Sequence, residues 1–266
     1  MQIDASVNYH VKKLLPQAFE FDVDGILGNL VSPELVATDI KVTNLRKSDC
    51  QPTFNRDGIE FIYNPSRVKR FECDDGWQTI YDQELSDLLK AKIGAQEVIV
   101  FDHTVRVDDP TAPRRPARNV HSDYNRAGAE QRLIDLVGEE RAQTFKKSGY
   151  GFVNVWRPVE NIIRSSPLGF IRPVSMNSED WIDIELIYPD RHGQILGVTV
   201  NPHHEWFYQS EMNPDEVIIF NIFDNRGGPS LAHSALDLPN DHHVTVPRKS
   251  IESRTLVRYS EVMKGI

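Results

Sequence analysis

Apolar and polar positions recur along this chain with two different periods, and the change of period separates helices from strands. From Ile80 to Ile93, the segment IYDQELSDLLKAKI sets Leu85, Leu88 and Leu89 on one helical face, and Gly94 follows where a left-handed cap would end the helix. The β-branched run QEVIVFDHTVRV then predicts a strand from Val98 to Val107. It is followed by the loop DDPTAPRRPA, whose Pro110, Pro113 and Pro116 continue neither a helix nor a strand. A short strand is expected over Arg118–His121. After it, AGAEQRLIDLVGEERAQTFKKS predicts two short helices broken near Gly138, the second opening on acidic residues and closing on lysines. Beyond that point the chain is strand-like. GFVNVW, DWIDIELIY, ILGVTV, EWFYQ, EVIIFNIF, LAHSAL and SIESRTLVRY are punctuated by Pro, Gly, Asn and Asp, the pattern of a sandwich, jelly roll or barrel. The expected fold is mainly β with flanking α-helices.

Composition acts by exclusion. A chain of 266 residues, 39% hydrophobic and 26% charged, is neither disordered nor collagen-like, and it is long enough for a self-sufficient core. No repeat, low-complexity tract or Gly/Ser linker divides it, so one domain with an N-terminal extension is the simplest organisation. The net charge of −9 opposes any general affinity for a phosphate backbone, so no nucleic acid is expected as partner. Cys50 and Cys73 build neither a disulfide framework nor a four-cysteine zinc site and are expected as reduced thiols. With no leader-like start and no apolar run of membrane length, no membrane partner is expected and a cytoplasmic location follows.

Chemistry concentrates on a few histidines. His121, Ser122 and Asp123 form an HxD triplet at the end of a predicted strand, where alternation places the imidazole and the carboxylate on the same side. His233 lies in LAHSAL, a separate short strand. Two histidines and one carboxylate make the facial triad of non-haem iron(II) oxygenases, which leaves three positions for a chelating co-substrate and dioxygen. The plain structural alternative is that Asp123 caps the following helix and His121 is a satisfied strand residue. In PRKSIESRTLVRY, Arg248, Ser250 and Glu252 share a strand face, so the arginine and the serine hydroxyl can grip a carboxylate such as the distal one of 2-oxoglutarate. Arg254 has the same parity and is a competitor for that role, the other arginine then supporting a carboxylate such as Glu252. A rival zinc hydrolase would draw on His203, His204 and Glu205 or on Asp241, His242 and His243. Adjacent strand histidines face opposite ways, however, and the DHH triplet lies in a solvated loop.

The segments RPARNVHSDYN, VNVWRPVENIIRSSPLGF, HEWFYQSEMNPDEVIIFNIFDN, LAHSAL and PRKSIESR, in this order and preceded by VFDHTVR, resemble the CmcJ/AsaB-like hydroxylase/desaturase family over roughly residues 95–262. The resemblance implies a cupin-like double-stranded β-helix, or jelly roll, over 96–266, with residues 1–95 as an extension packing on it. It implies iron(II) on His121, Asp123 and His233, and 2-oxoglutarate on Arg248 with Ser250. It also implies a dioxygenase that hydroxylates or desaturates a small-molecule secondary metabolite. Asn154, Trp156 and Arg157 of VNVWRP are candidates for substrate contact. The chain departs from the family at PLGFIRP, which carries Arg172, and at HSAL in place of HTAF; both leave the ligand set intact. Asp123 argues against halogenation, which needs the carboxylate position vacated for halide. The competing function is a non-catalytic relative serving as a binding module or as the supporting subunit of a heteromer. A homodimer is allowed.

Overall fold

A computed structural model describes residues 1–25, 29–71, 76–190 and 192–260; Cys73 lies outside them. Two sheets carry the fold. The larger has ten strands in the spatial order Gln2–His10 (β1), Leu35–Asn44 (β4), Trp206–Tyr208 (β12), Leu168–Ile171 (β9), His233–Ala235 (β14), His121–Ser122 (β7), His192–Val198 (β11), Trp181–Ile187 (β10), Gln17–Phe21 (β2) and Leu30–Val31 (β3). The smaller has five, in the order Ile59–Tyr63 (β5), Glu216–Asp224 (β13), Tyr150–Pro158 (β8), Lys249–Arg258 (β15) and Glu97–Val107 (β6). The helices are Phe54–Asp57 (α1), Gly76–Ile93 (α2), Arg126–Val137 (α3) and Glu139–Ser148 (α4).

The apolar runs have a physical reason in this arrangement. Strands β8 and β13 lie in the interior of the smaller sheet and are covered on both faces, so their sequences are almost continuously hydrophobic rather than alternating. One face takes α2, whose Tyr81, Leu85, Leu88, Leu89 and Ile93 pack among Val153, Val155, Val217, Ile219 and Val257. Each such side chain contributes about 1.5–3 kcal/mol on burial. The other face meets the larger sheet, where Phe152, Trp156, Ile218 and Phe220 pack against Leu168, Phe170 and Phe207. The two sheets thus enclose a jelly-roll core between them.

Breaks fall where backbone chemistry demands. Gly94 follows α2 with φ +69°, the left-handed geometry expected there. Gly138, at φ +77°, ends α3 by donating its N–H to Ile134 O at 2.7 Å and opens α4 directly. The strand expected over Arg118–His121 is displaced to His121–Ser122, because the preceding residues join neighbours only through isolated bridges such as Asn8↔Asn119.

Candidate active site

The shortest strands build the centre. β7 and β14 are antiparallel neighbours, and His121 and His233 are directly opposed in the register, with ring centroids 4.5 Å apart. Each imidazole bonds through Nδ1 to a carbonyl two residues earlier, His121 to Asn119 O at 2.8 Å and His233 to Leu231 O at 3.0 Å. A carbonyl accepts only, so each Nδ1 carries the proton and each Nε2 keeps its lone pair for a ligand. Asp123 follows β7 and brings Oδ1 to 3.5 Å from His121 Nε2. One ligand atom from each of His121, Asp123 and His233 lies within 4.8 Å of the other two, the single such grouping of His, Cys, Asp and Glu among the described residues.

The protonation states suit a dication. Burial opposes ionisation of Asp123, but the Arg254 guanidinium, with His121 and His233, holds its carboxyl well below the usual range. Burial, reinforced by His121, pushes His233 down to about 4, so its imidazole is neutral at pH 7. Hard carboxylate oxygen and neutral imidazole nitrogen are the donors that iron(II) accepts.

Asp123 does not cap the helix that follows it. Asn125 does, accepting the Gly128 N–H at 2.7 Å through its side chain. Asp123 Oδ2 instead accepts from Asn154 Nδ2 at 2.8 Å and from Arg254 Nε at 3.2 Å.

The two arginines left open by the sequence are separated by their surroundings. Arg254 reaches Asp102 at 2.6 Å and Glu252 at 2.7 Å as well as Asp123, so its charge is fully engaged. Arg248 is buried, lies 5.1 Å above the Trp156 ring, and contacts Ser250 Oγ through Nε and Nη2 at 3.3 Å. Its Nη1 donates to Ser166 O, and among the described residues no carboxylate stands within ion-pair distance. Burial, then the nearby Arg106, lowers it to about 9. Arg248, Arg106, Glu252, His121, His233 and Leu168 line one narrow cleft.

Of the three residues expected at substrate, Asn154 holds Asp123 and Trp156 lies beneath Arg248. Arg157 lies apart from these two. It occupies the opposite face of β8 by strand alternation and donates to Pro214 O at 2.7 Å and Asn64 O at 2.8 Å, with Tyr81 OH at 3.3 Å. The rival histidines do not converge. His204 is tied to Tyr9 OH at 2.8 Å and Asp180 at 3.1 Å, His203 and Glu205 are exposed, and Asp241 accepts the Ser166 N–H at 2.9 Å.

Two residues of the site carry no motif. Asp102 is reached only through the β6–β15 register, and Ser166 holds Arg248 from a left-handed conformation at φ +46°. Strand parity across the predicted pair could have suggested Asp102; nothing in the sequence marks Ser166.

Residues 27–258 match the family described as an oxidoreductase/YMDC permease-like domain. The chain belongs to this oxidoreductase family. No helix among the described residues is long and apolar enough to cross a membrane. The chain is 28% identical over 254 residues to the hydroxylase/desaturase efuI of Hormonema carpetanum, covering 84% of each chain. It is 28% identical over 235 residues to the alpha-ketoglutarate-dependent dioxygenase phiK of a fungal species, covering 82% of this chain and 83% of that one. A solved structure of the iron and alpha-ketoglutarate-dependent endoperoxidase NvfI superposes with a TM-score of 0.88 at 20% identity, covering 97% of this chain and 98% of that chain. The fold is the double-stranded β-helix of these proteins, and the hydroxylase/desaturase family anticipated from the motifs is the one found. Its family makes this chain an oxidoreductase, and the alpha-ketoglutarate dependence belongs by name to phiK and NvfI.

Proposed function

We propose that this enzyme hydroxylates or desaturates a small-molecule secondary metabolite, with His121, Asp123 and His233 holding iron(II) and Arg248 with Ser250 holding the distal carboxylate of 2-oxoglutarate. One observation carries the reading: of three ligand residues whose atoms lie within 4.8 Å of one another, His121 and His233 line a cavity together with an arginine that has no carboxylate partner among the described residues. Bound iron(II), with 2-oxoglutarate and dioxygen, supplies a two-electron oxidation of a C–H bond, the oxoacid leaving as succinate and carbon dioxide.

The protein's own part is positional. The Nδ1 bonds of His121 and His233 fix both rings and aim Nε2 inward. Asn154 and Arg254 hold Asp123 ionised on one oxygen and leave the other toward His121. Ser166 O and Ser250 Oγ fix the Arg248 guanidinium, and the Trp156 ring beneath it excludes water. The names of the relatives support a metabolite substrate. The free, exposed thiol of Cys50 suits a reducing cytoplasm, and the exposed Leu30 and Val31 of edge strand β3 offer a face for a homodimer, which sedimentation would report.

Anaerobic titration of the apoprotein with iron(II) and then 2-oxoglutarate tests the assignment. A visible metal-to-ligand charge-transfer band is expected, together with oxygen-dependent succinate formation that His121→Ala, Asp123→Ala and His233→Ala each abolish. A folded Asp123→Ala protein with parental turnover would overturn the metal assignment.

A further inference from the structure

Two arginines face the cavity beside His121 and His233, and they approach it from adjacent strands. Arg106 lies on β6 directly opposite Ser250 of β15, on the face it shares with Thr104 and Asp102. Going along that face toward Asp123, Arg248 comes first, then the Ser250–Arg106 level, then Glu252 with Thr104, and last Arg254 with Asp102. The acids at the lower levels are already engaged. Arg254 pairs with both Asp102 and Glu252, and Thr104 Oγ1 donates to Asp102 at 3.0 Å. Asp108, the acid near the upper level, is held by Arg118 at 3.0 Å and by Ser166 Oγ at 2.6 Å. Arg106 itself spends Nη1 on Arg115 O at 2.9 Å, a carbonyl of the proline-bearing loop, and pairs with no carboxylate among the described residues. Two guanidiniums therefore converge on one confined space whose lining carboxylate, Glu252, is already paired with Arg254. Such an arrangement is unfavourable in a poorly solvated cavity unless an anion completes it.

We propose that Arg106 is a second cationic anchor of the oxoacid pocket, binding the distal carboxylate of 2-oxoglutarate jointly with Arg248 and Ser250. The proposal rests on the reading of this cavity as the oxoacid site. A carboxylate offers about four lone-pair directions, and Arg248 already spends Nη1 on Ser166 O and directs Nε and Nη2 toward Ser250, so a second guanidinium supplies donors that Arg248 lacks. The depressed basicity of Arg248, which burial and Arg106 produce together, is the expected signature of two like charges awaiting a counter-ion. Arg106 acts as a specificity residue, selecting a dicarboxylic oxoacid over a monocarboxylic one.

The test compares 2-oxoglutarate with 2-oxopentanoate, which keeps the chelating end and lacks the distal carboxylate. Binding is read anaerobically from the visible band of the iron(II) protein, without turnover. Arg106→Gln should raise the half-saturating 2-oxoglutarate concentration about tenfold and leave that for 2-oxopentanoate within about twofold, and Arg106→Lys should recover part of the loss. Equal weakening for both acids in a variant with an unchanged melting curve, or unchanged 2-oxoglutarate binding, overturns the role of Arg106 alone. A wild-type protein that gives no band with 2-oxoglutarate overturns both this role and the pocket itself.

Discussion

The carboxylate of Asp123 is held by an amide at 2.8 Å and a guanidinium at 3.2 Å, and the two have different consequences when removed. Asn154 is neutral, so Asn154→Leu leaves no stray charge behind. It should keep the fold while weakening iron(II) affinity by roughly tenfold or more, as loss of a partner to a ligand commonly does. Metal titration checks this, and an unaltered affinity would remove Asn154 from the positioning of Asp123. Arg254→Met instead strands three carboxylates, and it should lower the free energy of unfolding by about 3 kcal/mol in a denaturant titration. The distinction between Arg248 and Arg254 was not legible in the sequence, because both have the same strand parity. It depends on Asp102, which belongs to another strand and enters only through pairing. The HxD and the third histidine were legible because strand alternation alone puts His121 and Asp123 on one side.

Among the elements, α2 is fastened to the smaller sheet by more than its leucines. Asp82 of α2 meets His103 Nε2 on β6 at 2.9 Å, and His103 Nδ1 meets Ser253 Oγ on β15 at 2.8 Å. The order of groups imitates a nucleophilic triad, yet Ser253 is fully buried and no described cavity borders it, so the chain of bonds is a clasp. Ser253 stands between Glu252 and Arg254 and points away from them, just before the irregularity at Arg254/Thr255. The clasp thus fixes the register on which the site depends. His103→Phe should cost about 1–3 kcal/mol and raise amide exchange in α2 and β6 together; exchange confined to α2 would show that the register is held elsewhere. Strands covered on both faces were readable as apolar runs, whereas Leu168–Ile171 is only four residues long, set between Ser165, Ser166 and Pro167 on one side and Arg172 and Pro173 on the other. Its neighbours β12 and β14 make it a strand, and they lie far away in sequence.

For the whole molecule, stability and metal loading follow from how distant segments close on one another. His10, at the end of β1, is buried with Nδ1 unpaired, and burial together with His121 lowers it to about 4. Above pH 6.5 it is neutral in both folded and unfolded chains; between 6.5 and 4 only the unfolded chain takes the proton, so folding weakens as pH falls. Its share of the loss between pH 7.5 and pH 5 is about 2 kcal/mol. Urea titrations at the two pH values should show that His10→Leu removes this part of the slope, and an unchanged slope would assign the acid sensitivity elsewhere. The direct opposition of His121 and His233 has one more consequence. Their strands come from points about 110 residues apart, and the pair exists only after the larger sheet has closed. An unfolded or half-made chain has no assembled chelator to offer, so folding precedes metallation. On the proposed assignment, iron(II) held there would act as a late bolt across two short strands, stabilising the finished molecule by RT ln(1 + [M]/Kd), and a starved cell would accumulate folded protein ready to be charged.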